Sequence, residues 1–253
     1  MFSKDVVRKA EEMLSQMGTP IGAYTSCSRG YKLSRQKIAE LIERRDGVKA
    51  DPDKIYLTNG ATEAANLAIS FLIRDENDGL LLPSPNYPLY SAKLRLAGGS
   101  VVEYPLTEGE HWTIDVERVE QRILAAQKAG KCIRGMVVVN PGNPTGHVLT
   151  RPNIQKIIEL CHKHSVLLVA DEGFKENVYS RKRPFVSFRN VLNGMPPQIR
   201  DSLEMFTLDT VSNGMCGESG LRGGYIETHN IDPAVEAQMY KLRTMSICSN
   251  TVG

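Results

Sequence analysis

The sequence lacks the marks of a membrane, secreted or nucleic-acid-binding chain. No apolar run approaches the roughly 20 residues needed to span a bilayer. The opening Met1-Phe2-Ser3-Lys4-Asp5 has mixed charge without the apolar centre of a secretory signal. A net charge of +2 gives no electrostatic reason to expect nucleic acid or a membrane surface as partner. The five cysteines (Cys27, Cys132, Cys161, Cys216, Cys248) are scattered and odd in number, with no Cys-x-x-Cys pair. That argues against both a disulfide framework and a zinc site. Cys161-His162-Lys163-His164 has no further ligands at metal spacing and reads as the polar surface end of a helix. No internal repeat or low-complexity tract is present. The expectation is an intracellular, cytoplasmic protein in a reducing compartment, with a mitochondrial location also compatible.

What is there is an ordinary globular composition. A chain of 253 residues, 41% hydrophobic and 24% charged, can bury a substantial core as one large domain or two small ones. Apolar spacing predicts helices over residues 2–17, with Ser3 as N-cap, and over 34–47, joined by a turn-rich link. From there the chain alternates. Strands are predicted over 54–58, 79–83, 101–105, 136–139, 166–170, 204–208 and 222–228. Helices fall over 62–73, 87–97, 115–129, 151–164 and 234–243, and residues 183–198 form a looser Pro-rich region. The strands at 136–139 and 166–170 are uniformly apolar, so both of their faces must be covered. This pattern predicts an α/β fold with a mostly parallel sheet covered by helices on both faces. In such sheets ligands bind beyond the carboxyl ends of the strands.

The polar clusters fall at those ends. Asn140-Pro141-Gly142-Asn143-Pro144-Thr145-Gly146 is a tight turn in which Asn143 offers an amide donor; on its residues alone it reads as a strand terminator. Asp171 follows a buried strand, so its carboxylate is neutralised, faces a cation, or caps the next segment. Asn59-Gly60-Ala61-Thr62-Glu63 lies where a strand turns into a helix, with Thr62 as candidate cap and backbone donors suited to phosphate. The stretch from Thr210 to Tyr225 brings hydroxyls first (Thr210, Ser212), then glycines, then Arg222. Glycines let backbone approach an anion and an arginine fork can hold a phosphate, but such a run is more often only a turn.

Taken together these segments resemble the class I/II aminotransferases that use pyridoxal phosphate (PLP), and within them the alanine aminotransferase branch. Thr210 to Tyr225 is similar to the branch's Ser-x-Ser-Lys-Gly-Tyr-Met-Gly-Glu-Cys-Gly-Tyr-Arg-Gly-Gly-Tyr, and the seven residues from Asn140 match it letter for letter. The resemblance implies a fold-type-I PLP transferase large domain, with residues 1–50 as N-terminal arm or partial small domain and 51–253 as the large PLP-binding domain. It implies that Asp171 pairs with the protonated pyridine nitrogen, keeping the ring electron-poor. Asn143 would bond the phenolic oxygen, and Tyr87, from Asn86-Tyr87-Pro88-Leu89-Tyr90, would stack on the ring; alone, Tyr87 reads equally as a core residue. Gly60, Ala61, Thr62, Thr210, Ser212 and Arg222 would form the phosphate shell, and Tyr24 would reach the phosphate of a neighbouring subunit.

The chain departs from that pattern at Asn213, which stands where the family has the lysine that binds the cofactor and moves the substrate proton. An amide can do neither, and loss of a positioned base alone costs about 10²–10⁴-fold in rate. Lys175 lies close by in sequence, but strand geometry gives no reason for it to substitute. Phe174 replaces a tyrosine that donates to the phenolic oxygen, and Gly173 replaces a valine. The family's sequences run on past the position of Gly253, through a small C-terminal domain and an arginine that clamps the substrate carboxylate; a chain without them is expected to bare apolar surface.

Three functions follow from the resemblance. One is transfer of an amino group between L-alanine and 2-oxoglutarate with PLP, impaired by Asn213. The second is a non-catalytic module that holds PLP non-covalently, alone or with an amino acid. The third is a dimer partner, as a homodimer or paired with an intact relative.

Overall fold

The computed structural model describes residues 2–18, 20–25, 27–215 and 217–251. Cys216 of the Thr210 loop therefore lies outside the described residues. The strands β1 (Ile55–Thr58), β2 (Asp78–Ser84), β3 (Ser100–Thr107), β4 (Thr113–Ile114), β5 (Cys132–Val139), β6 (Leu167–Asp171), β7 (Met205–Thr210) and β8 (Gly224–His229) form one sheet. Their order is β1-β8-β7-β6-β5-β2-β3-β4. Strands β3, β2, β5, β6 and β7 are mutually parallel, while β8 runs antiparallel to both β7 and β1, and β4 antiparallel to β3.

The antiparallel β8 has a local cause. Residues 211–223 join β7 to β8 without a crossover helix, so the chain returns beside the strand it has just left. β8 covers Gly224–His229, two residues later than predicted, with Arg222 lying before it.

Alternation sorts the strand side chains onto two cores. Leu81, Met136, Val138, Leu168 and Met205 face helices α5 (Val116–Lys128) and α6 (Arg151–Lys163), packing on Val119, Ile123, Ile154 and Ile157. Leu80, Leu82, Val137, Val169 and Phe206 face the other way. They pack on Ala64 and Ala68 of α3 (Ala61–Leu72), Tyr90 and Leu94 of α4 (Pro88–Leu96), and Met239 of α9 (Pro233–Thr244). Both faces of the central strands are covered, as their apolar runs require.

Before the sheet come α1 (Lys4–Met17) and α2 (Lys32–Asp46). Ala39 and Ile42 of α2 pack on Ile55 and Tyr225. No residue of α1 is buried, and Ser3 precedes it without a side-chain capping bond, contrary to expectation. The stretch at 183–198 is more regular than its prolines suggest. It holds α7 (Phe188–Asn193), capped by Ser187 onto Asn190, and the start of α8 (Pro197–Arg200). Cys161, expected at the surface, is buried in the first core, and His164 is turned onto Glu120 at 2.6 Å.

Candidate functional site

The carboxyl ends of β1, β5, β6 and β7 open on the same edge of the sheet, and the predicted site residues collect there. Asp171 and Thr210 end β6 and β7, and Asn143 lies in the turn after β5. Gly60 is the N-cap of α3, and Ala61 and Thr62 are its first two residues. Thr62 is thus not the cap. That end is held instead by Glu63, which accepts from the backbone N–H of Asn59 and pairs with Arg243 at 2.8 Å. Tyr87 is the N-cap of α4, Phe174 sits in the turn after Asp171, and Ser212 and Asn213 follow Thr210.

One cavity of about 270 Å³ gathers them: Ala61, Thr62, Tyr87, Asn143, Asp171, Phe174, Thr210, Ser212, Asn213 and Arg222 all line it. Gly60 stands behind Arg222, where any side chain would be in the way: a Cβ there would lie 2.5 Å from Arg222 Nη2, and the backbone φ is +82°. Tyr24 is exposed and does not line the cavity.

The side of the cavity around Arg222 is pre-organised by hydrogen bonds. Arg222 donates to the Asn59 carbonyl at 2.8 Å and the Ser219 carbonyl at 2.7 Å, and lies 3.3 Å from the Ser212 hydroxyl. Its own backbone is left-handed, with φ 60°, which is uncommon for a residue other than glycine and places strain at this spot. The Thr210 hydroxyl lies 3.0 Å from both Ser212 Oγ and the Gly223 carbonyl. With the N-terminus of α3 across from it, this is a donor-rich concavity suited to an anion.

Asp171 lines the same cavity, buried, receiving the Tyr90 hydroxyl at 2.6 Å and the Gly173 N–H at 3.2 Å. Burial pushes its carboxyl above the usual aspartate range, although both bonds pull the other way; Asp209 pushes it up further. A cation against Asp171 would offset that burial cost. A Cβ on Gly173 would lie 3.3 Å from Asp171 Oδ1 and 3.7 Å from Asn213 Nδ2, so the bare glycine leaves space where those two groups converge. The chemistry of the groups lining this cavity fits PLP: Arg222 and the hydroxyls suit a phosphate, the buried Asp171 carboxylate a ring nitrogen cation, the Tyr87 ring an aromatic face, and the Asn143 amide an anionic oxygen.

Sequence reasoning missed Tyr90, Glu172 and the Lys175–Asp209 pair. Tyr90 lies in the Asn86-Tyr87-Pro88-Leu89-Tyr90 stretch, three residues after Tyr87, but only Tyr87 was assigned a role there. Glu172 is fully buried, accepts the Phe188 N–H at 2.8 Å, and has Arg45 3.7 Å from its other oxygen. Burial outweighs the arginine and pushes its pKa up to about 8. Lys175 Nζ lies 2.6 Å from Asp209 Oδ1, beside the loop carrying Asn213. Among the described residues no cluster of His, Cys, Asp or Glu could hold a metal ion, and no helix is long and apolar enough to cross a membrane.

The family model for aminotransferase class I and II matches residues 3–253. A probable mitochondrial alanine aminotransferase of Dictyostelium discoideum is 40% identical over 254 residues, covering 100% of this chain and 47% of the relative. Glutamate–glyoxylate aminotransferase 2 of Arabidopsis thaliana is 40% identical over 250 residues, covering 99% and 52%. The chain thus spans about half the length of the curated relatives it matches. Among solved structures, an aminotransferase from Escherichia coli superposes with a TM-score of 0.80 at 23% identity, over 98% of this chain and 57% of that one. An alanine aminotransferase from Pyrococcus furiosus gives 0.80 at 24% identity, over 96% and 57%.

Proposed function

This chain belongs to the class I and II aminotransferases, a family of PLP-dependent enzymes of fold type I, and on that premise we propose that it is an alanine aminotransferase-like protein whose cavity holds PLP. The observation that carries this reading is the convergence of Asp171, Asn143, Tyr87, Thr210, Ser212 and Arg222 on one cavity from four separate segments. PLP would supply an electron sink for a substrate amino acid. Asp171 would hold the ring nitrogen, Arg222 and the hydroxyls the phosphate, and Tyr87 the ring face. Amino acids and 2-oxo acids are the substrate class, with L-alanine and 2-oxoglutarate as the pair the alanine aminotransferase relatives suggest.

Asn213 lines this cavity with an amide in place of an amine. Nothing at that position can tether the cofactor or move the substrate proton, so transamination is impaired. The same residue favours a second reading, a non-catalytic PLP-binding or dimer-partner pseudoenzyme. Support for a partner comes from α1, whose Val6, Val7, Met13 and Leu14 are exposed large apolar side chains with no core of their own. The experiment that separates the readings is an alanine–2-oxoglutarate assay with added PLP, on the chain alone and co-expressed with an intact relative. Measurable turnover of the lone chain, abolished by Asp171→Asn, supports the impaired enzyme. Turnover absent alone and changed by co-expression supports the partner.

A further inference from the structure

Asn213 presents an amide to one wall of the cavity, and an amine lines the cavity next to it. A second cavity of about 530 Å³ adjoins the first, with Thr210 and Asn213 lining both. Among the described residues lining either cavity there is one lysine, Lys175. It follows Phe174, which lines the first cavity, in the turn after Asp171. That turn is fastened to the Asn213 segment. Glu176 accepts from the backbone N–H of Met215 at 2.9 Å, and Asn177 accepts from that of Gly214 at 2.9 Å. The Lys175 and Asp209 side chains are only 14% and 4% exposed, and Asp209 directly precedes Thr210.

We propose that Lys175 supplies the amine that residue 213 lacks, condensing with the aldehyde of PLP while Asp209 handles its proton. This rests on the reading of the first cavity as a PLP cradle. The competing account is an ion pair that only fastens the turn to β7. A buried pair is weak evidence for stability. This one places a flexible four-carbon stem with a condensable nitrogen next to the one wall that has lost such a group. The step balances without an oxidant or reductant. Asp209 accepts one ammonium proton, and the freed lone pair of Nζ forms a bond to the aldehyde carbon as the C=O π electrons move to oxygen. That oxygen takes one proton from the nitrogen and one back from Asp209. It leaves as water, and Lys175 is left in a protonated imine.

The test is reductive trapping. The chain is incubated with PLP, treated with cyanoborohydride, digested and mapped by mass spectrometry. Binding of pyridoxine 5′-phosphate, which has no aldehyde, is measured in parallel by equilibrium dialysis. The expected result is one phosphopyridoxyl group per chain on the peptide bearing Lys175. Lys175→Arg, which keeps a cation facing Asp209, should lower total label at least about tenfold while still binding pyridoxine phosphate. Label spread over surface lysines, or undiminished in Lys175→Arg, overturns the assignment and leaves the cradle standing. If neither compound binds, both readings fall. Should the arginine variant not fold, the wild-type peptide map decides alone.

Discussion

Tyr90 and Asp171 are 81 residues apart in the chain and joined by a 2.6 Å hydrogen bond inside the sheet edge, with the tyrosine donating. The bond ties α4 to the end of β6 and holds the carboxylate that faces the cavity. Tyr90→Phe leaves a buried acceptor short of its donor, a loss of about 1–3 kcal/mol. Urea denaturation at pH 7 should show that decrease, and the same variant should bind PLP more weakly.

Arg222 keeps its pose because Gly60 has no side chain. Gly60→Ala would push a methyl carbon into the guanidinium at a φ that disfavours alanine, costing about 1 kcal/mol or more. The larger effect should be on anion binding. Inorganic phosphate should compete with PLP on the wild-type chain, and the alanine variant should need roughly tenfold more PLP for half saturation, consistent with loss of a charge-assisted fork.

Glu172 makes stability depend on pH. Its folded pKa of about 8 lies above its ordinary value of 4.5, because burial outweighs the pull of Arg45 and Asp46 and Asp209 lie near it. A raised folded pKa means the folded state binds the proton more tightly. The stabilisation is complete below pH 4.5 and lost as pH climbs toward 8, by up to about 1.4 kcal/mol per pH unit. Denaturation midpoints from pH 5 to 8 should fall in the wild type and flatten in Glu172→Gln.

Residue 213 lines the cavity proposed to hold PLP, whereas Lys175 lines only the adjoining one. Asn213→Lys should therefore take the reductive label at residue 213 in preference to Lys175. A peptide map with label only at Lys175 would show that residue 213 is not placed to meet the cofactor.

The gathering of these residues at one edge of the sheet was legible in the sequence because they sit where local rules point. Asp171 and Thr210 terminate apolar strands, Gly60 starts a helix, and Asn143 occupies a Pro-Gly turn. Pairings between distant segments were not legible: Tyr90 with Asp171, Lys175 with Asp209, and Glu172 with Arg45 have no shared periodicity to betray them. The direction of β8 was hidden for a similar reason. Apolar alternation predicts a strand but not its sense, which the loop at 211–223 decides. In residues 183–198 the prolines masked α7 and α8, although Pro197 stands at a helix start, where its missing N–H costs nothing.

The most direct measurement of the cradle is equilibrium dialysis of PLP against the wild-type chain, Asp171→Asn and Arg222→Met. The predicted result is saturable binding of one PLP per chain, weakened about tenfold or more by each substitution. No saturable binding by a folded wild-type chain, or equal binding by all three, would contradict it.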